Sequence, residues 1–175
     1  EARYIPYFQA HTNTYAPVAL LKERFEEALR HPLCTGLAVA TRPDCLGPDV
    51  EDYLADLHDR TFLWVELGLQ TSDEISAQRI RRGYPFSVYK EAVNRLTARG
   101  IRVVTHLIAG LPEDTPEGFR HTMEQVLSLA PTNITVHTLA LKKAATLYYE
   151  KRATLPTAPM VEEMLTYASH SLRAA

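Results

Sequence analysis

The stretch "VELGLQT" (residues 65–71) places a carboxylate and an amide in an otherwise apolar run. From Leu63 onward, leucine and valine alternate with tryptophan, glutamate, glycine and glutamine. This period of two predicts a β-strand over 61–70 with two different faces. The leucine and valine face suits packing against helices. Glu66 and Gln70 share the opposite face, where their polarity calls for a partner or a ligand.

Strand-like and helix-like segments alternate along the rest of the chain. The predicted strands are 4–9, 36–41, 61–70, 101–109 and 133–139. The predicted helices are 17–30, 49–59, 72–82, 86–99, a segment that begins after Thr115, and 160–175, whereas 141–159 has weak periodicity. Strands that are separated by helices in this way must run parallel, with right-handed crossovers.

The spacing of the repeats selects among parallel architectures. A (β/α) barrel uses about 250 residues for eight repeats, so 175 residues predict an α/β fold that is a partial barrel, with about five parallel strands and helices outside. We expect 1–145 to form this barrel and 146–175 to be a linker and C-terminal helix of the same domain. A doubly wound sheet is the alternative, although no G-x-G-x-x-G follows the first strand.

Composition narrows the possible partners and compartments. The formal net charge is −2, so no global basic field indicates a nucleic-acid partner. No apolar run is long enough to span a bilayer, and we expect no membrane partner. Cys34 and Cys45 do not form a disulfide framework, which favours a reducing cytoplasm. Eleven residues apart, they do not form a zinc site either.

Polar side chains gather at the carboxyl ends of the predicted strands, where parallel α/β folds place their chemistry. We interpret Glu66 either as a ligand-binding group or as half of a buried ion pair with a residue such as Arg102. His106 and His137 are candidate acid/base groups, or half of a metal site with Glu66. The pair Lys142–Lys143 and the arginines Arg79, Arg81 and Arg82 are interpreted as solvated faces, although the place of Arg82 at a helix end beside Gly83 leaves its own assignment open.

Several motifs together resemble the radical-SAM superfamily. The sequence L-G-L-Q is followed twelve residues later by Arg82 and then by H-L-I-A-G-L-P. "YFQA", "TRPDCL" and "WVELGLQT" occur in the same order in a bacterial radical-SAM group of unassigned activity. "NITVHTLALKKA" is similar to oxygen-independent coproporphyrinogen oxidases, and "TRPD" with "VELGLQ" resembles elongator-type tRNA-modifying enzymes. The resemblance covers residues 4 to about 145.

This resemblance implies a binding site for S-adenosylmethionine (SAM). Gln70 and Arg82 fall on positions that contact the ribose and the carboxylate of SAM, and Ala140 matches a backbone contact to adenine. His106 stands where the porphyrinogen branch has a ribose-binding Asp. The cofactor-binding residues implied in this way are Gln70, Arg82, Gln9, Asn13, Glu66, His106 and Ala140, with Gln9 and Asn13 on the turn that in relatives is rich in glycine and binds the amino group.

The cluster-binding motif of the superfamily is missing from this sequence. Relatives hold a [4Fe-4S] cluster in a Cys-x-x-x-Cys-x-x-Cys loop after their first strand, and the first strand here resembles their second. We therefore expect the loop upstream of Glu1 in a longer parent, or else a relative that lost the chemistry. For the parent, the resemblance implies 5′-deoxyadenosyl radical chemistry on an unknown substrate and a flavodoxin or ferredoxin electron donor. This chain alone is expected to be inactive and to hold no metal.

Two other interpretations remain open. One is a degenerate, non-catalytic module that binds a nucleoside or a partner protein. The other is an ordinary acid/base barrel enzyme that uses Glu66, His106 and His137 and is indifferent to iron and SAM.

Overall fold

The computed structural model of the chain describes residues 2–143, 145–149 and 154–174. Its strands are β1 (Tyr7–Phe8), β2 (Gly36–Thr41), β3 (Phe62–Gln70), β4 (Arg102–Ala109) and β5 (Asn133–Thr138). These five strands form one parallel sheet in the order β1-β2-β3-β4-β5. The α/β class, the number of strands and their parallel direction are confirmed.

Helices connect the strands at nearly the predicted positions. They are α1 (Val18–Leu29), α2 (Pro48–Arg60), α3 (Glu74–Arg79), α4 (Phe86–Ala98), α5 (Pro116–Ser128), α6 (Thr146–Tyr149) and α7 (Ala158–Ala174), with a 3-10 turn at Pro43–Cys45. The predicted start of α5 is confirmed, because the Thr115 hydroxyl accepts a hydrogen bond from the Gly118 N–H at 3.0 Å. Within the described residues, no helix has the length and apolar character needed to cross a bilayer.

The first strand is shorter than the predicted segment 4–9. Only Tyr7 and Phe8 pair with β2, and Tyr4 forms a separate bridge to Cys34. Pro6 interrupts the ladder, since it has no N–H to donate. Its carbonyl still accepts a hydrogen bond from the Ala38 N–H at 3.0 Å.

The helix predicted over 72–82 is also shorter. Asp73 caps α3, its side chain accepting a hydrogen bond from the Ser76 N–H at 2.7 Å, so the helix begins at Glu74. Beyond α3, Arg81 has a φ of 54° and Gly83 a φ of 86°. These left-handed residues redirect the backbone before α4.

The chain divides into two compact units. The first comprises Glu1–Gly68, Ser87–Thr105 and Pro131–Asn133, and the second Leu69–Phe86, His106–Ala130 and Ile134–Ala175. In the first unit, the fully buried Leu37, Leu63 and Tyr89 belong to the core. In the second unit, α5 packs against α7, and Met123 and Met164 are both buried.

The first pair of the β2–β3 ladder requires glycine. Gly36 lies opposite Phe62, and a Cβ on Gly36 would meet the Phe62 carbonyl oxygen at 2.5 Å. We expect Gly36→Ala to lower the free energy of unfolding by about 1–3 kcal/mol, because backbone atoms must separate to admit the methyl group. Urea unfolding followed by circular dichroism measures the change.

Gly47→Ala is the matched control. A Cβ there meets only the Asp49 carboxylate, at 3.0 Å, and that side chain can rotate away. We expect a smaller loss of about 1 kcal/mol or less, since position 47 is a helix N-cap. Equal effects of the two substitutions would contradict the steric argument for Gly36.

A buried carboxyl closes the turn after β4. Asp114 is 6% exposed and accepts a hydrogen bond from the Gly110 N–H at 3.2 Å. Burial raises the pKa of Asp114 to about 6, although backbone hydrogen bonds oppose the shift. The folded carboxyl therefore holds its proton more tightly than the unfolded one, and its contribution to stability falls as pH rises through this range.

Asp114→Asn should remove that pH dependence while keeping an acceptor for Gly110. We expect the melting temperature of the variant, relative to the wild type, to be higher at pH 7.5 than at pH 4.5. Differential scanning fluorimetry at both pH values measures this. Parallel pH profiles for the two proteins would show that Asp114 does not titrate as its burial indicates.

Candidate functional site

In the first unit, two aromatic side chains hold the carboxylate of Glu66. The Tyr7 hydroxyl donates to Oε2 at 2.5 Å, and the Trp64 Nε1–H donates to Oε1 at 2.7 Å. Tyr7 lies opposite Ala38, which lies opposite Trp64, so a small residue separates the two rings on the sheet. Glu66 itself is 8% exposed. These two donors stabilise a carboxylate that is largely removed from water.

The contact with Glu66 also changes the pKa of Tyr7. Burial, and then the hydrogen bond and charge of Glu66, raise the pKa of Tyr7 to about 12. Tyr7 is therefore a neutral donor at physiological pH. The suggested alternative partner, Arg102, has its guanidinium 4.6 Å from the centroid of the Phe62 ring. Neither Tyr7 nor Trp64 was predicted as a site residue, although Trp64 shares the strand face of Glu66.

Asn13 ties the loop after β1 to the ends of two strands. Its Nδ2 donates to the Phe8 carbonyl at 2.8 Å and to the Ala40 carbonyl at 2.9 Å. Thr14 reinforces the loop through a hydrogen bond to the Cys45 carbonyl at 2.7 Å. Gln9 is exposed on the same loop. The Asn13 amide hydrogens thus satisfy backbone carbonyls within the protein.

In the second unit, Gln70 has an unusual backbone at the end of β3. Its φ is 71°, a left-handed value that few residues other than glycine adopt. Such values often mark functional sites, where the surrounding structure holds the strained residue. Nothing in the sequence pattern indicates this conformation. The next residue, Thr71, is buried. Its backbone carbonyl accepts a hydrogen bond that holds the turn.

Arg82 holds that turn from inside the second unit. Its Nη1 donates to the Thr71 carbonyl, its Nε donates to the Tyr84 carbonyl at 2.8 Å, and Nη2 lies 3.1 Å from both carboxylate oxygens of Glu74. The Arg82 side chain is 2% exposed, so its assignment to a solvated face is wrong. Arg82 thus binds the backbone of Thr71, the residue that directly follows Gln70.

A cleft of about 340 Å³ opens in the second unit. Apolar side chains of Ile108, Leu111 and Leu139 line it together with Arg79 and Arg81. Ala140, predicted from the resemblance, follows Leu139 directly and is exposed. Both arginines are exposed, as predicted, but they also border a concave surface that sequence reasoning did not find. Exposed arginines give the same sequence pattern whether they lie on a solvated helix face or at the rim of a cleft.

His106 and His137 meet on adjacent strands of the second unit. Nδ1 of His106 lies 3.0 Å from Nε2 of His137, and the rings meet edge to edge, with centroids 5.2 Å apart and planes inclined by 10°. At this distance, one imidazole donates the hydrogen bond and the other accepts it. The two histidines thus form a pair.

The cysteines do not fit an iron–sulfur cluster. Cys34 precedes β2 and Cys45 follows it, so the two thiols lie at opposite ends of a strand of six residues, about 20 Å long. Among the described residues, no group of three or more His, Cys, Asp or Glu side chains is placed to hold a metal ion. The described part of the chain thus holds no group of residues suited to an iron–sulfur cluster.

Two curated bacterial proteins are similar to the chain over most of its length. "Uncharacterized protein YtqA" of Bacillus subtilis is 48% identical over 153 residues, 86% of this chain and 48% of that protein. "Protein YhcC" of Escherichia coli is 37% identical over 144 residues, 82% of this chain and 47% of that protein. The chain therefore spans about half the length of these relatives.

A solved radical-SAM enzyme has the same fold. The coproporphyrinogen III oxidase HemN of Escherichia coli superposes with a TM-score of 0.76 over 93% of this chain and 38% of the enzyme, at 22% identity. At this identity, the likeness establishes the fold alone. The family model "Radical SAM superfamily" matches residues 4–126, as the motifs predicted. The chain belongs to the radical-SAM superfamily.

Proposed function

We propose that the cleft of the second unit binds SAM, and that the chain is the SAM-binding portion of a radical-SAM enzyme. The observation that carries this proposal is the combination of Ile108 and Leu139 with Arg79 and Arg81 around one cleft. The apolar walls suit adenine, and the two guanidinium groups add positive charge next to Arg82 in the sequence, which favours an anionic group of the ligand. A volume of about 340 Å³ falls within the usual range for small-molecule sites.

Individual residues of the second unit take separate roles in this proposal. The backbone of Ala140 contacts adenine next to Leu139, while Gln70 and His106 contact the ribose hydroxyls. An amide and an imidazole each offer a donor and an acceptor, which is what a diol requires. The left-handed backbone of Gln70 fixes the direction of its side chain. The roles of Gln9, Asn13 and Glu66 toward the cofactor stay predictions.

Arg82 is proposed to bind the methionine carboxylate, as the resemblance implies, but Glu74 already occupies its Nη2. A ligand carboxylate that approaches this guanidinium must compete with Glu74. The side chain of Glu74 is 48% exposed, so it can turn into solvent at modest cost. The hydrogen bond from Arg82 to Thr71 also gives Arg82 a part in holding the Gln70 turn.

The superfamily's cofactors are SAM and a [4Fe-4S] cluster. The cleft fits SAM, which in such enzymes supplies a carbon-centred radical when it is reductively cleaved beside a cluster. The described residues do not fit the cluster, so no catalytic step is assigned to them. We propose that the cluster loop, the electron donor (a flavodoxin or ferredoxin) and the substrate specificity belong to a longer parent in the cytoplasm.

A non-catalytic nucleoside-binding module is the second candidate function. It would use the same cleft, lined by Ile108 and Leu139, without radical chemistry. The residues that precede Glu1 in the coding sequence distinguish the two functions. A Cys-x-x-x-Cys-x-x-Cys motif there, with 5′-deoxyadenosine formed after iron reconstitution and reduction, supports the enzyme. If the motif and the product are both missing, only the module remains.

Gln70→Ala should weaken SAM binding by about three- to tenfold, because it removes a hydrogen bond to the ribose. Isothermal titration calorimetry with SAM measures the affinity of the wild type and of the variant. Gln78→Ala is the control, since Gln78 is an exposed amide on α3 in the same unit. A wild-type protein that binds no SAM, or equal losses in both variants, would contradict the proposal.

Glu74→Gln should tighten SAM binding several-fold, because it removes the carboxylate that competes for Arg82. The glutamine carbonyl can still accept the hydrogen bond that the Phe86 N–H donates to Glu74 at 2.7 Å. Calorimetric titrations of both proteins, with melting temperatures recorded alongside, give the result. Unchanged SAM affinity would show that Arg82 only supports the turn.

A further inference from the structure

The histidine pair lies next to the cleft on β4. Along this strand the side chains alternate, with Thr105 and Leu107 buried and His106 and Ile108 partly exposed. His106 and Ile108 therefore share one face and stand about 7 Å apart along the strand. Since Ile108 lines the cleft, His106 occupies the neighbouring position on the cleft side of β4.

The same spacing recurs on β5. His137 and Leu139 are two residues apart, and Leu139 lines the cleft. The Leu139 N–H donates to the Ala109 carbonyl at 3.0 Å, which continues the pairing of the two strands beyond His137. In a parallel ladder this bond places His137 level with Ile108, so His106 contacts His137 diagonally, and both histidines share a face with the cleft-lining Ile108 and Leu139. The histidine pair borders the apolar wall of the cleft.

The hydrogen bond between the histidines restricts both rings. A neutral imidazole has two tautomers, and the bond between Nδ1 of His106 and Nε2 of His137 requires one nitrogen to be a donor and the other an acceptor. The ring planes are inclined by only 10°, as an in-plane hydrogen bond between the ring edges requires, and this bond restricts rotation of both rings. A side chain with a fixed orientation loses less entropy when it binds a ligand.

We propose that His137 is a positioning residue for nucleoside recognition, which acts by fixing the ring plane of His106 beside the cleft. This inference rests on the proposed function, in which His106 meets the ribose of SAM. His137 then determines how strongly the site discriminates a ribose from a deoxyribose, although it need not touch the ligand.

Two substitutions separate the hydrogen bond from the packing. His137→Phe keeps a planar ring beside His106 but has no nitrogen. His137→Gln places an amide near the position of Nε2 and can restore the hydrogen bond. His121→Phe is the control, because His121 is an exposed histidine on α5 in the same unit.

The measurement uses the full-length protein. Calorimetry gives dissociation constants for SAM, 5′-deoxyadenosine and 2′,5′-dideoxyadenosine. For His137→Phe we expect SAM affinity to fall by about three- to tenfold and the preference for 5′-deoxyadenosine over its 2′-deoxy analogue to fall by a similar factor. His137→Gln should recover most of both losses, and His121→Phe should change neither.

The outcomes distinguish this inference from the proposed function. If the wild type binds SAM and His137→Phe keeps both the affinity and the ribose preference, His137 has no positioning role and the SAM site stands. If the affinity falls but the ribose preference is unchanged, or His137→Gln rescues neither, the role is structural and the inference fails. A wild type that binds no SAM overturns both.

Discussion

The burial of one face of β3 is the constraint on which the arrangement of the chain depends. Leu63, Val65, Leu67 and Leu69 are all 0% exposed, and each contributes about 1.5–3 kcal/mol through its burial. A slip of one residue in register would bring these four side chains to the opposite face and bury polar groups in their place. The apolar face therefore determines the positions of Glu66 and Gln70 on the other side.

Each unit stabilises its buried charge in a different way. In the first unit, Glu66 accepts hydrogen bonds from the neutral donors Tyr7 and Trp64, which replace part of the hydration of its carboxylate. In the second unit, Arg82 combines backbone carbonyls with the carboxylate of Glu74. Burial of a charge is costly unless hydrogen bonds replace water, and both arrangements provide them from nearby segments of the chain.

The helices and strands could be predicted because the period of the hydrophobic residues indicates them. The predicted bounds of β2 are those observed, since a short apolar run between turn residues leaves little freedom. The errors come from single residues that act on the backbone. Pro6 interrupts the first strand, and the Asp73 cap delays α3. Neither effect changes the hydrophobic pattern, so a reading based on periodicity passes over both.

The candidate site was predicted less completely, because its geometry depends on residues far apart in sequence. Motif spacing indicated Gln70, Arg82 and His106, but not the contact between His106 and His137, which are 31 residues apart. Nor could it show that Asn13, assigned to a ligand, uses its Nδ2 to bind two backbone carbonyls. Polar residues at strand ends serve the backbone and a ligand equally well, and only three-dimensional contacts distinguish these uses.

The identity of residue 106 explains why such a contact matters. The porphyrinogen branch has a carboxylate at this position. Its two oxygens are equivalent acceptors of hydrogen bonds, so a carboxylate has no tautomers and can bind in several orientations. An imidazole has two unlike nitrogens, and its usefulness to a diol depends on which one carries the proton. In the proposed SAM site, a neighbour that orients the His106 ring lowers the entropy lost when a ribose binds. His137, 3.0 Å away on the next strand, is placed to act in this way within the same unit.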